Sequence, residues 1–171
     1  MVEPFHQDSF SGLCGVYSIL NAYKIVFKAN EDDTQFLFNE IVEYLSKKRL
    51  LKHSILNGMG FKEVNMVMRD VVYNYMPHYK VSWMGYPNPT LGTFWKSIKN
   101  HLTKPNNCII LGVSGLQDHW STGISATDKT ITLVDFEWKY LKRKSCSTTE
   151  LNENIYALYP AQTFYISNEE F

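Results

Sequence analysis

The sequence has no excess of either charge. Its 171 residues hold 17 Lys and Arg against 17 Asp and Glu. Because nucleic acids and anionic membrane surfaces attract proteins through a positive field, the composition predicts neither of them as a partner. The one basic run, residues 139–144, is short and local. We interpret it as a solvated loop or hairpin face.

Long apolar runs, a secretory leader and paired cysteines are also missing. No stretch approaches the ~20 apolar residues of a membrane-spanning helix, and the N-terminus lacks a basic stretch followed by an apolar one. Cys14, Cys108 and Cys146 lie far apart, and no Cys/His cluster has the spacing of a zinc site. The sequence therefore predicts a cytoplasmic protein with reduced thiols and no metal or cofactor.

Hydrophobic periodicity indicates an α+β fold in one domain covering residues 1–171, with a helical lobe packed on an antiparallel sheet. The first half reads as helices and the second as strands. A helix begins at Cys14, a second is capped by Thr34, a third follows the Gly58–Gly60 break, and a fourth is capped by Thr90. Strands are predicted at 79–84, 108–113, 119–126, 130–136 and 162–167.

The helix that begins at Cys14 is the first candidate for chemistry. A thiol in the first turn of a helix meets a partial positive charge, which favours the nucleophilic thiolate. The upstream Gln7 can direct its amide at a developing oxyanion. Gly12 and Gly15 would let a substrate backbone approach closely. Without this context a free cysteine is more often a small buried hydrophobe.

The second candidate is the pair His119 and Asp135. His119 opens a predicted strand after a loop, and Asp135 lies between Val134 and Phe136 in the next strand. In a tight hairpin the carboxylate would lie level with the imidazole and hold it in the tautomer that accepts a thiol proton. His6, His53, His78 and His101 lack this setting and are interpreted as ordinary histidines.

The other two thiols are given structural roles. Cys108 lies within an apolar strand and fits a buried small hydrophobe. Cys146 lies in a Ser/Thr-rich stretch, which predicts an exposed bystander thiol.

Taken together, these residues resemble the papain-like cysteine peptidase superfamily, and the layout is similar to compact bacterial double-glycine leader peptidases. In that pattern a glutamine precedes a Cys-Gly helix start, a His-Trp opens a strand, and an Asp follows. The resemblance implies a thiol protease with a catalytic triad: Cys14 as nucleophile, His119 as base, Asp135 as its orienter and Gln7 as oxyanion donor. It also implies a papain-like fold and a substrate-facing Trp120. The Gln7–Cys14 spacing is one residue longer than the pattern leads us to expect.

The layout also resembles the Josephin deubiquitinases, which implies a protein or peptide substrate, including a ubiquitin-like C-terminus. Two alternatives stay open. Transglutaminase-like and arylamine acetyltransferase-like enzymes use Cys, His and Asp in the same order for acyl transfer. A non-catalytic module could instead hold a peptide in an aromatic groove, formed by Trp83, Tyr86, Trp95, Trp120 and Trp138.

Overall fold

A computed structural model describes residues 12–81, 87–115, 118–134, 140–149 and 154–169. Within them it confirms the mixed α+β class, with helices concentrated in the first half. The α-helices are α1 (Cys14–Phe27), α2 (Glu31–Lys47), α3 (Leu51–Asn57), α4 (Phe61–Asp70) and α5 (Leu91–Leu102). The strands are β1 (Tyr79–Val81), β2 (Cys108–Gly115), β3 (His119–Ala126), β4 (Thr130–Leu133), β5 (Tyr140–Lys142), β6 (Cys146–Ser147), β7 (Tyr156–Leu158) and β8 (Phe164–Ile166).

These strands form one sheet with β2 near its middle. The main order is β1-β8-β2-β3-β4-β5, and β7 pairs with β2 next to β8 along the same side. All pairs run antiparallel except β6 with β7, which are parallel. The long β2–β3 hairpin therefore forms the framework from which the other strands extend.

The sheet is covered on both faces, which the sequence analysis did not predict. Cys108 and Ile110 of β2 pack in one core with α1, α2 and α4, whereas Ile109 and Leu111 pack in a second core with α5. Successive residues of a strand point to opposite faces. A strand buried on both sides therefore reads as the continuous apolar run seen at 108–113.

Helix starts follow the sequence signals only in part. Thr90 caps α5 as predicted, because its hydroxyl accepts the backbone N–H of Thr93 at 3.3 Å. The predicted cap at Thr34 is wrong. Asn30 is the cap of α2, and its side chain accepts the Asp33 N–H at 2.8 Å, while Thr34 lies buried one turn inside the helix. Three acidic residues in the first turn of α2 complement the positive helix end.

The observed strands agree best with the predicted ones in the central hairpin, which consists of two long strands. β3 has its predicted bounds, and residues 127–129 form the turn to β4. The last strand is shorter than predicted, because Pro160–Gln162 forms a 3-10 turn before β8. Helix α3 and strands β5, β6 and β7 were not predicted. Each has at most seven residues, too few for a clear period.

Two negative findings apply to the described part of the chain. No helix there combines the length and apolar character required to cross a membrane. Nor do His, Cys, Asp and Glu side chains there form a group of three or more that could hold a metal ion.

Candidate active site

The structure brings Cys14 and His119 to the same cavity, although 104 residues of sequence separate them. The cavity has a volume of about 260 Å³ and lies between the start of α1, the α3–α4 connection and the β2–β3 end of the sheet. Both residues open their elements: Cys14 is the first residue of α1 and His119 the first of β3. This is the arrangement that the sequence predicted for a nucleophile and its base.

Cys14 is held in place by the packing of its helix. The thiol residue is 9 % exposed and belongs to the core under the sheet, yet it lines the cavity. The preceding Leu13 is the N-cap residue and makes no side-chain cap hydrogen bond to the helix. Cys14 thus lies in the first turn of α1, the part of a helix that carries a partial positive charge.

A buried hydrogen bond fixes strand β3 against α1. The hydroxyl of Thr122 donates to the backbone carbonyl of Ser18 at 2.9 Å. Ser18 is one helical turn beyond Cys14, and Thr122 is three residues beyond His119. The bond therefore ties the thiol-bearing helix to the histidine-bearing strand close to the cavity. Across the sheet, His119 lies opposite Val113 of β2, which lies opposite Leu158 of β7.

Burial sets the charge state of His119. The residue is 8 % exposed, and desolvation lowers its pKa from 6.5 to about 4. Since burial disfavours the charged imidazolium, His119 is neutral at pH 7. A neutral imidazole is the form that accepts a proton, as a general base must.

The α3–α4 connection forms one wall of the cavity through Gly58, Met59 and Gly60. Gly58 ends α3 at a φ of 79°, which a residue with a side chain adopts only with strain. The indole N–H of Trp120 donates to the Met59 carbonyl at 2.6 Å in a fully buried contact. Trp120, beside His119 in β3, therefore ties this wall to the sheet.

The structure gives Gly12 and Gly15 packing contacts away from the cavity lining. A Cβ on Gly12 would lie 2.4 Å from the Ser54 carbonyl oxygen, and one on Gly15 would lie 3.0 Å from a methyl of Val64. Their small size lets the chain and α1 pack against α3 and α4. The predicted contact of Gly12 and Gly15 with substrate stays a prediction, whereas Trp120 does line the cavity.

Three lining residues, Asn57, Tyr159 and Gln162, were missed by sequence reasoning. Tyr159 and Gln162 reach the cavity from the turn between β7 and β8. Ser114 of β2 and Asp118, which directly precedes His119, complete the polar part of the lining. Tyr159 follows Leu158, whose pairing with β2 places the turn beside His119. Nothing local in the sequence marks Tyr159 and Gln162, because pairing between distant strands brings them to the cavity.

Two predicted members, Gln7 and Asp135, lie outside the described residues, and their roles stay predictions. The described part of the β3–β4 hairpin continues to the Val134 N–H, which donates to the Thr122 carbonyl at 3.1 Å.

The remaining cysteines lie in the core. Cys108 is fully buried in β2, as predicted. The prediction of an exposed Cys146 is wrong: it is 8 % exposed, its thiol donates to the Lys142 carbonyl at 3.2 Å, and burial raises its pKa to about 12. The polar Ser/Thr neighbours of Cys146 suggested exposure, but its pairing in β6 turns the thiol into the core that contains α5.

The aromatic groove suggested as a peptide-binding surface is divided by the fold. Trp120 packs in the core under α1, whereas Trp95 packs with α5 on the opposite face of the sheet. Both are almost fully buried. Trp83, Tyr86 and Trp138 lie outside the described residues.

Comparison with known proteins gives no relative from which a function could be transferred to this chain. No protein-family model matches the chain, and no curated protein or solved structure is significantly similar to it. The chemistry must therefore be argued from the residues themselves.

Proposed function

We propose that the chain is a cysteine hydrolase of papain-like type that cleaves an amide bond in a protein or peptide. The observation that supports this proposal is the meeting of Cys14 and His119 in one cavity, each at the first residue of its element. A nucleophilic thiol needs a base within reach and room for a substrate, and the shared cavity with its polar lining offers both.

In the proposed reaction, His119 takes the thiol proton as the Cys14 sulfur attacks the carbonyl carbon of the substrate. The helix start at Cys14 and the amide of Gln7 stabilise the negative charge on the carbonyl oxygen. The imidazolium then gives its proton to the leaving amine, and a thioester remains on Cys14. Attack by water, with His119 again as base, releases the acid and restores the thiol.

The low pKa of His119 indicates how this pair starts each cycle. With a pKa of about 4, the imidazole is neutral at pH 7 and can accept the thiol proton. Proton transfer then accompanies attack on the substrate. Asp135, in its proposed role, orients His119 and favours the imidazolium once it forms.

Cleavage of a peptide library tests the proposal. A library derived from a proteome is incubated with the native protein, with Cys14→Ala and with Cys146→Ala, and new N-termini are identified by mass spectrometry. We expect new termini with the native protein and Cys146→Ala, and none with Cys14→Ala. Equal cleavage by Cys14→Ala, or none by the native protein, would contradict the proposal.

A further inference from the structure

Six cationic side chains gather around two adjoining cavities far from Cys14. The larger cavity has a volume of about 790 Å³ and the smaller one about 270 Å³, and both are lined by Arg143 and Asp128. We call the pair the basic cleft. Its cations are Lys96, Lys99, Lys129, Lys142, Arg143 and Lys144.

Among the described residues that line the basic cleft, Asp128 is the one carboxylate. It is largely exposed and already pairs with Lys99 at 2.6 Å, and this lysine lowers its pKa. The chain has no net charge, yet six of its 17 Lys and Arg residues lie around this cleft. Like charges at this density repel one another. A bound anionic ligand would relieve that repulsion.

The floor of the cleft is a fixed structure. Arg143 donates its backbone N–H to the Lys129 carbonyl at 2.8 Å, and its guanidinium lies over the Trp95 ring, 5.9 Å from the centroid. The Trp95 indole N–H donates to the Thr127 carbonyl at 2.8 Å, which ties α5 to the β3–β4 turn. Gly92 gives the arginine room, since a Cβ there would lie 3.3 Å from a guanidinium nitrogen.

The cleft lies at the opposite end of β3 from His119. Lys129 lies in the turn after Ala126, whereas His119 begins the strand. The eight residues of β3 span roughly 25 Å. A ligand in the cleft would not enter the Cys14 cavity unless it were a long chain.

We propose that the basic cleft binds an acidic segment of a protein, rich in Asp or Glu. The concave cleft can hold a bent peptide. Its cations come from α5, the β3–β4 turn, the end of β5 and the segment that follows β5. A single nucleic-acid strand usually stacks its bases on open aromatic rings. In the described lining of the cleft the aromatic ring is Trp95, which is 1 % exposed and covered by Arg143; this favours a peptide over a nucleic acid.

Fluorescence anisotropy with a labelled deca-glutamate peptide tests the proposal at about 0.15 M salt. The test variant is Lys129→Gln/Lys144→Gln, which removes two exposed cations of the cleft. The matched control is Lys28→Gln/Lys47→Gln, with the same change in charge on exposed residues elsewhere. Thermal unfolding of both variants verifies that they are folded.

We expect the cleft variant to weaken peptide binding roughly 4- to 25-fold, at about two- to fivefold for each exposed ion pair. The control should change the Kd less than about twofold. No binding by the native protein, or equal weakening by both variants, would overturn the proposal. Tighter binding of labelled deca-thymidine, or of phosphatidylserine vesicles, would overturn it in favour of that ligand. Cys14→Ala should bind the peptide unchanged, so the result is independent of the proposed catalysis.

Discussion

The hydrogen bond from the Trp120 indole to the Met59 carbonyl makes the cavity wall dependent on one side chain. The contact is 2.6 Å long and buried, so Trp120→Phe leaves the carbonyl oxygen without its donor. A buried polar group left without its partner costs about 1–3 kcal/mol. The smaller ring also leaves a void of a few tens of Å³, which costs roughly 1 kcal/mol more.

We therefore expect Trp120→Phe to lower the free energy of unfolding by about 2–4 kcal/mol. For a protein of this size the loss corresponds to a fall in Tm of about 4–16 °C. Trp95→Phe is the comparison variant. It also removes an indole hydrogen bond, to the Thr127 carbonyl at 2.8 Å, but this bond is only part-buried because Thr127 is exposed in the β3–β4 turn.

Trp95→Phe should destabilise the protein less, because water can replace the lost donor at the exposed Thr127, and the two variants should differ in where the backbone loosens. Equilibrium denaturation measures the first quantity and amide hydrogen exchange the second. Exchange at residues 58–61 should rise in Trp120→Phe beyond the increase expected from the lost stability, and should follow global stability alone in Trp95→Phe. A loss below about 0.5 kcal/mol in Trp120→Phe, or the same exchange pattern in both variants, would refute the reasoning.

Four further outcomes are expected. Gly12→Ala should lower the free energy of unfolding by about 1–3 kcal/mol or more, because the added Cβ would lie 2.4 Å from a backbone oxygen. Gly60→Ala should lower it much less, because its Cβ would lie 3.0 Å from a side-chain carboxylate that can move. Chemical denaturation compares the two variants. Because the pKa of His119 is lowered to about 4, the unfolded chain binds a proton that the folded chain does not as pH falls from 6.5 to 4. The native protein should therefore lose about 3 kcal/mol more stability over that window than His119→Gln, since His101, whose pKa burial also lowers, contributes to both. Denaturation curves at both pH values measure the difference. Gln7→Ala should lower kcat roughly 10²–10³-fold with little change in KM, and steady-state kinetics giving near-normal kcat would mean another group stabilises the oxyanion. Asp135→Asn should retain far more kcat/KM than Asp135→Ala, since an amide oxygen can accept the same imidazole N–H, and equal loss in both would show that the charge itself is required.

The parts of the fold predicted correctly are those with local signals. α1 begins at Cys14 and β3 spans His119–Ala126, because apolar spacing and a short polar turn define them within a few residues. Thr34 misled the prediction because Asn30, four residues earlier, is an equally good cap and lies outside the helix. The acidic residues Glu31, Asp32 and Asp33 between the two are a local signal for Asn30, since carboxylates are favoured in the first turn of a helix.

The candidate site likewise contains residues that local sequence signals predicted and residues that they did not. Cys14, His119 and Trp120 carried recognisable context and do meet at the cavity. Tyr159 and Gln162 did not, because their position depends on the pairing of β7 with β2 across more than forty residues of sequence. The burial of Cys146 likewise follows from its place in the sheet and not from its polar neighbours.

Competitive alkylation of the three thiols tests whether Cys14 is an activated nucleophile. The native protein is treated with iodoacetamide at neutral pH, and the rate at each cysteine is followed by mass spectrometry. Cys14 should react first, because it lines the cavity beside His119, while Cys108 is fully buried and burial raises the pKa of Cys146 to about 12. His119→Gln should slow Cys14 and leave the order of the other two unchanged. Labelling of Cys146 before Cys14, or a Cys14 rate indifferent to His119→Gln, would contradict a catalytic pair.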